Sequence, residues 1–239
     1  MRCYYDFHIH SCLSPCGDMD MTPNNIVNMS QLKGLDAIAI TDHNCAANAE
    51  AVLRAAEGKL IVLPGMEVES CEEVHVVCLF AELDACLKME QKVRAQMIDI
   101  KNKAEIYGEQ VILDENDEQV GQVDTLLVTA TKLSVYDIVE LTHSFGGVCI
   151  AAHIDRSSYS LLSNLGLMPD DLPIDAVEIS KNGKLEKLAA IHRSLSNYCV
   201  LYSSDAHYLP DISERSHFFE VAGELDANAV INALRTGIK

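Results

Sequence analysis

The sequence predicts an α/β fold in which βα units curl into a barrel-like core, and two observations carry that expectation. Short apolar runs of about five residues, rich in Val, Ile and aromatic side chains, alternate with longer amphipathic stretches, the pattern of repeated βα units. The same apolar runs repeatedly end in His, Asp or Glu, as strands do when their ends meet at the functional rim of a barrel. A length of 239 residues suits one large α/β domain carrying a modest insertion.

The elements follow in order. Cys3–His10 reads as the first strand, and Thr22 followed by Pro23 caps and opens a helix running to about Lys33, stopped by Gly34. Ala37–Thr41 is the next strand, Asn48–Glu57 a helix, and Leu60–Val68 and Val74–Phe80 two further strands. Between Leu83 and Thr131 the rhythm changes: a charged helical stretch reaches Lys103, and VILDENDEQVG then offers two short strands around an acidic turn. Residues 83–131 therefore read as a small helical and hairpin insertion, with DENDE a solvated turn that lacks EF-hand ligand spacing. The alternation resumes with helix Ser134–Phe145, strands Val148–Ala152 and Ala176–Ser180, and helix Leu185–Leu195. Strands Val200–Ser204 and His217–Ala222 and helix Ala227–Thr236 complete the chain. Gly146 and Gly237 are placed to close their helices. No internal repeat or Pro/Ser linker calls for a second domain, so residues 1–239 are expected to form one.

Composition narrows the function classes. The net charge is −18 and the pI about 4.7, which argues against a protein that coats long nucleic acid, because such binding is dominated by cations. No apolar run approaches the roughly 18 residues needed to span a bilayer, and MRCYYDFHIH lacks the apolar segment of a signal peptide, so a cytoplasmic location is expected. Nine Cys without a CxxC pair fit a reducing compartment, where Cys is chiefly a small buried hydrophobe. Cys12 and Cys16 lie close in sequence to a His cluster, which sets soft metal ligation beside the preferred structural role.

The chemistry is read from the strand ends. In DFHIH a strand's period of two puts His8 and His10 on one face. AIAITDHN ends in Asp42 and His43, LIVLPGMEVE carries Glu67, EVHVVCLF begins with His75, VCIAAH ends in His153, and CVLYSSDAH ends in Asp205 and His207. Imidazole and carboxylate ligands without a repeated Cys pattern suit zinc, manganese or iron, and they exceed what one tetrahedral site needs. Two or three divalent ions are implied, with Glu67 the best bridge between neighbouring cations. His143 and His192 fall in amphipathic helices and His217 opens a late strand, so these three are read as structural.

These residues resemble the motifs of the PHP (polymerase and histidinol phosphatase) domain family of metal-dependent phosphoesterases. DxHxH matches Asp6, His8 and His10, TDH matches Thr41 to His43, the third motif matches Glu67 with His75, and the fourth matches His153 with Asp205 and His207. The resemblance covers nearly the whole chain and implies a distorted (β/α)7 TIM-like barrel. It implies that His8, His10, Glu67 and Asp205 hold one metal, His75, His153 and the bridging Glu67 a second, and His43 and His207 a third. Many members add a ligand to the third site shortly after the first motif. Here the turn is SPCGDMD, longer than the usual pattern, and the role passes to Asp18 with Asp20 as competitor. Asp6 and Asp42 read as carboxylates accepting an N–H from a ligand His, with backbone amides the competing partners for Asp42. Arg156, shortly after His153, is placed to grip phosphate oxygens bidentately. Lys181 and Asn182 are a second candidate phosphate contact, with an ordinary solvated surface Lys the preferred reading.

A phosphatase this acidic needs a local positive field. Three divalent ions set against three carboxylates would leave about +3 before Arg156 is counted. The expected mechanism is in-line attack by a metal-bridging hydroxide, with Glu67, Asp205, His207 and Arg156 as the residues of catalysis. The expected substrate is a small phosphorylated metabolite or nucleotide. The alternatives are a 5′–3′ exonuclease on short oligonucleotides and a non-catalytic metal-binding domain serving regulation. No membrane and no long nucleic acid are expected as partners.

Overall fold

The computed structural model describes residues 1–181 and 183–237. One eight-stranded sheet organises the chain, from β1 (Arg2–Ile9), β2 (Ala37–Ile40), β3 (Ile61–Glu69), β4 (His75–Leu79), β7 (Val148–Ala151), β8 (Ala176–Ser180), β9 (Cys199–Ser203) and β10 (Phe218–Glu220), while β5 (Val111–Leu113) and β6 (Gln119–Gln122) pair separately as a hairpin. The order across the large sheet is β10-β1-β2-β3-β4-β7-β8-β9. The sheet curls until the chain beyond β9 meets the end of β1: Ile9 bridges Ala206 in parallel, His10 N–H donates to the Ala206 carbonyl at 2.9 Å, and Ala206 N–H donates to the His8 carbonyl at 3.2 Å.

Parallel pairing holds for β1–β2, β2–β3, β7–β8 and β8–β9, but β4 runs antiparallel to both β3 and β7. The reason is local. Only a tight turn separates β3 from β4, with Ser70 N–H donating to the Val74 carbonyl and Glu73 at φ 59°, and a parallel neighbour would need a crossover of a dozen or more residues. The consequence reaches the site, because antiparallel register sets His75 opposite Glu69. A residue that opens its strand thus joins the rim where the parallel strands end.

Helices α1 (Pro23–Leu32), α2 (Ala49–Ala56), α3 (Leu83–Arg94), α5 (Val135–Ser144), α7 (Leu185–Ile191) and α8 (Ala227–Thr236) flank the sheet, with the short α4 (Ala104–Tyr107) and α6 (Leu161–Leu165) between them. Thr22 caps α1 through Asn25 N–H, and Ser134 closes a capping box with Asp137 on α5. The charged stretch after β4 is helical only to Arg94, and the run expected to continue to Leu195 breaks at His192 into a 3-10 turn. Met89 and Val93 of α3 join the apolar layer with Phe80, Ile138 and Val139, so part of the stretch read as insertion packs with the outer helices. The hairpin instead packs on the turn after β1, Val111 and Leu113 against Cys12. None of the described helices is long and apolar enough to cross a membrane.

The interior of the curl is divided. Tyr5, Phe7, Leu63, Val77, Leu79, Ile150 and Leu201 fill it with apolar contacts, joined by Val230, Ile231 and Leu234 of α8. The polar site lies above this cluster. A bulge between Asp6 and Ile9 permits the change on β1: an inserted residue reverses the alternation, so Tyr5 and Phe7 face the apolar interior while His8 and His10 turn into the site. On β3 the side chains of Leu63 and Glu67 share the inward face, and Gly65 between them has no room for more, since a Cβ there would come within 2.7 Å of the Cys78 carbonyl oxygen.

Candidate metal centre

Glu67, 1% exposed, lies at the centre. Its Oε1 is 2.8 Å from His75 Nδ1, 3.1 Å from His153 Nε2 and 3.2 Å from His8 Nε2, while Oε2 is 3.0 Å from His43 Nδ1. Asp205 forms the second anionic point, its Oδ1 lying 3.1 Å from His10 Nε2 and 3.4 Å from His8 Nε2. His207 donates from Nδ1 to the Asp205 carbonyl at 2.9 Å. The set His8, His10, Glu67 and Asp205 is brought together, as are His43 and His207, whereas Glu67 and His75 gather with His43, His153 reaches Glu67 outside that group, and Asp18 joins none among the described residues. His153 and Asp205 adopt left-handed backbone, φ 30° and 52°, a conformation that costs residues with a Cβ and recurs at functional sites.

Hydrogen bonds behind the imidazoles fix which nitrogen faces inward. Glu178 accepts from His8 Nδ1 at 3.0 Å and is itself 1% exposed; a carboxylate accepts only, so the His8 Nε2 lone pair faces the site. Ser14 gives its hydroxyl proton to Asp42 at 2.6 Å and must therefore accept from His10 Nδ1 at 3.0 Å, which leaves the His10 Nε2 lone pair inward as well. The two Nε2 atoms stand 3.2 Å apart. Lone pairs held that close repel unless a cation or a proton lies between them. His153 Nδ1 is buried with no hydrogen-bond partner. The donors fit divalent metal: several imidazole nitrogens and two carboxylates converge on one point, a ligand set suited to positive charge. Three groups are spaced to hold ions: His8, His10, Glu67 and Asp205; His43, Glu67 and His75; and His10, His43 and His207.

The electrostatics agree. Burial alone would push the His8 imidazole down, but Glu178, Glu67 and Asp205 outweigh it and hold its pKa well above the ordinary value. His10 moves the other way, lowered by burial and by His207 and His43. Burial would raise the Glu67 and Asp205 carboxyls, yet the surrounding imidazoles hold both well below the usual carboxylate range.

Glu178 and Ser14 did not emerge from the sequence reading. A signal for Glu178 exists in hindsight, a lone carboxylate inside the apolar strand AVEIS, whereas Ser14 carries none. Replacing Glu178 with Gln is expected to lower metal affinity by about 10–100-fold, the usual loss when a ligand His is left without its orienting carboxylate. Metal titration with circular dichroism as a fold control checks this; unchanged affinity would mean that packing alone orients His8.

Two expectations are corrected, for Asp6 and Asp18, and one is narrowed, for Asp42. Asp6 accepts backbone N–H groups from Ser204 at 3.0 Å and Ser213 at 2.8 Å rather than an imidazole N–H, tying the chain after β9 to β1. Of the two partners expected for Asp42, the backbone amide is the one found: Ser11 N–H donates to it at 2.7 Å, and it reaches His10 only through Ser14. Asp18 accepts from Asp20 N–H at 2.8 Å within its own turn, and its backbone N–H, not its carboxylate, meets His207 through the carbonyl; neither Asp18 nor Asp20 joins a ligand group among the described residues. Cys16 lies in the same turn and likewise joins no ligand group among the described residues. Desolvation would raise the Cys16 thiol, but hydrogen bonds with His207 and His43 bring it down to about 6.

Arg156 Nη1 pairs with Asp205 Oδ2 at 2.6 Å. A cavity of about 310 Å³ opens beside it, lined by Arg156, Ser180, Lys181, Ser204, Asp205 and Asp211, and a smaller one of about 150 Å³ lies over Glu67, with Tyr159 at its wall. Tyr159 stacks on His75 with centroids 4.9 Å apart. Lys181 is exposed, its ammonium 3.4 Å from the Asp211 carbonyl; Asn182 lies outside the described residues.

Comparison with known proteins places this geometry. The fold is similar to that of a lesion-specific endonuclease from Pyrococcus furiosus (19% identity, TM-score 0.67), covering 100% of this chain and 58% of that one. It is also similar to endonuclease Q in complex with a 27-mer duplex bearing an abasic lesion (18% identity, TM-score 0.70), covering 99% and 57%. The chain thus spans less than two thirds of either nuclease. A Bifidobacterium adolescentis protein assigned as a metal-dependent phosphoesterase matches over 98% of this chain and 96% of its own, at 19% identity and TM-score 0.59. No curated protein matches the chain. The family model described as the PHP domain matches residues 6–164, the span that supplies His8, His10, His43, Glu67, His75 and His153, and the chain accordingly belongs to the PHP domain family of metal-dependent hydrolases.

Proposed function

We propose that the protein hydrolyses the phosphate ester of a small phosphorylated metabolite or nucleotide. The observation that carries the reading is the convergence of inward-facing imidazole nitrogens on Glu67 and Asp205 beside a cavity bearing Arg156 and Lys181. Two or three divalent ions (Mn, Zn or Fe) are assigned to His8, His10, Glu67 and Asp205, to His75, His153 and Glu67, and to His43 with His207. Such ions, when bound, lower the pKa of water toward neutrality and offset the charge of a phosphate. The chain's own residues do the rest. Glu67 and Asp205 fix the anionic framework, and Glu178 and Ser14 lock the tautomers of His8 and His10. Arg156, released from Asp205 by a competing phosphate, grips two oxygens of the ester, and Lys181 adds a second cation across the cavity. We further infer one domain over 1–239 with residues 83–131 as its elaboration, a seven-strand barrel once edge strand β10 is set aside, and a reducing cytoplasmic setting, to which nine cysteines without a disulfide among the described residues are suited.

A second reading, exonuclease action on short oligonucleotides, draws on Tyr159, an exposed residue at the mouth of the site whose ring offers a stacking surface for a base. One experiment separates the readings: inorganic phosphate release from sugar phosphates, mononucleotides, nucleoside bisphosphates and short oligonucleotides, with manganese supplied and Asp205→Ala/His207→Ala as control. Control-sensitive release from small monoesters is expected. Cleavage confined to oligonucleotides would favour the nuclease, and silence with metal bound would overturn both.

A further inference from the structure

The backbone ladder between β7 and β8 ends early. Ile150 pairs with Ala176 and Ala151 with Val177, whereas β8 continues beside β9 as far as Ser180 and Ser203. Beyond the ladder the chain after β7 is tied to β8 by single contacts: His153 N–H donates to Glu178 Oε1 at 3.1 Å and Ile154 N–H to the Glu178 carbonyl at 2.9 Å. Asp155 carries the link one residue further. Its Oδ1 accepts from Ser180 N–H at 2.8 Å and its Oδ2 from the Ser180 hydroxyl, so both oxygens are committed to one residue. Gly183 leaves room for the carboxylate, since a Cβ there would collide with Asp155 Oδ2 and Ile179, and Gly183 N–H donates to the Ser180 carbonyl at 2.7 Å. The residues that flank this clamp are the two cations of the cavity: Arg156 follows Asp155 and Lys181 follows Ser180. Arg156, Ser180 and Lys181 line that cavity, and Asp155 lies outside the lining.

We propose that Asp155 is a positioning residue that sets the spacing of Arg156 and Lys181 for a phosphate held between them. The proposal rests on reading the cavity as the seat of a phosphate ester. Two cations at the tips of long side chains grip an anion well only when the backbone beneath them is fixed, because every freedom lost on binding weakens the grip. Asp155 acts on both at once, joining the segment that bears Arg156 to the strand end that bears Lys181. A carboxylate near a phosphate also repels it, so the sign of its effect separates the two roles. If Asp155 acted only through its charge, removing it would tighten phosphate binding; acting as a clamp, its removal loosens it.

The test uses the full chain loaded with manganese and reads inorganic phosphate binding by titration calorimetry, kcat and KM on a small monoester, bound metal by elemental analysis and the fold by circular dichroism. Asp155→Ala is expected to weaken phosphate binding and raise KM about tenfold, the scale of a hydrogen bond to a charged group, with kcat within about twofold and metal content unchanged. Asp155→Asn, whose amide can still accept from Ser180 N–H and donate to the hydroxyl oxygen, is expected to restore binding to within about twofold of wild type. Ser180→Ala, the milder break should Asp155→Ala unfold, is expected to weaken phosphate binding about threefold. The double variant should bind no more weakly than Asp155→Ala alone, because the two side chains form one contact. Phosphate binding that tightens or stays level in Asp155→Ala overturns the proposal, as do losses that multiply in the double variant. Loss of metal from Asp155→Ala also overturns it, by making the residue a support of His153 instead. A wild-type protein that neither binds inorganic phosphate nor turns over monoesters removes the phosphate-ester reading itself, and the proposal with it.

Discussion

Exhaustive chelation is expected to reduce phosphate-ester turnover to background, and manganese, zinc or iron to restore it. The expectation follows from the arrangement of donors. His8 and His10 bring their Nε2 atoms within 3.2 Å of each other, and among the described residues Arg156 and Lys181 are the cations lining the neighbouring cavity, so most of the positive charge a phosphate needs there falls to metal. Retention of metal should also depend on pH. Protons and cations compete for the same lone pairs, and the carboxylates around His8 raise its pKa well above the ordinary imidazole value. Acidification through that raised range therefore favours release, and alkaline conditions favour loading. Metal analysis after dialysis across a pH series checks the sign, and full turnover by demonstrably metal-free protein would refute the hydrolytic reading.

Glu67→Gln should be the most damaging single substitution. The amide keeps the volume of the side chain, so the apolar interior beneath it is undisturbed, but the charge that approaches His8, His43, His75 and His153 is removed. An amide oxygen is a far weaker ligand than a carboxylate and cannot bridge two cations with the same charge compensation. Turnover is expected to fall by at least about 10²–10³-fold, the scale seen when one preorganised electrostatic contact is lost, with bound metal falling in parallel and the circular dichroism spectrum retained. Normal metal content in this variant would mean that the ions are organised by the imidazoles and Asp205 alone.

Much of the centre was legible because it is encoded locally. A strand's period of two is enough to pair His8 with His10, and a polar residue ending an apolar run is enough to place Glu67, His153, Asp205 and His207 on a rim. Amphipathic periodicity and caps located α1, α2, α5 and α8 to within a few residues. Local pattern was therefore enough for the fold class, the family and most of the residues that meet around Glu67. How they meet was not legible there, because register, bulges and side-chain partners depend on contacts far apart along the chain. The antiparallel course of β4 carries His75 from the start of its strand to the common rim, and the bulge in β1 turns His8 and His10 inward although Tyr5 and Phe7 already face that way. Glu178 reaches His8 across 170 positions of sequence, and one turn of backbone hydrogen bonds withdraws the Asp18 carboxylate from the site.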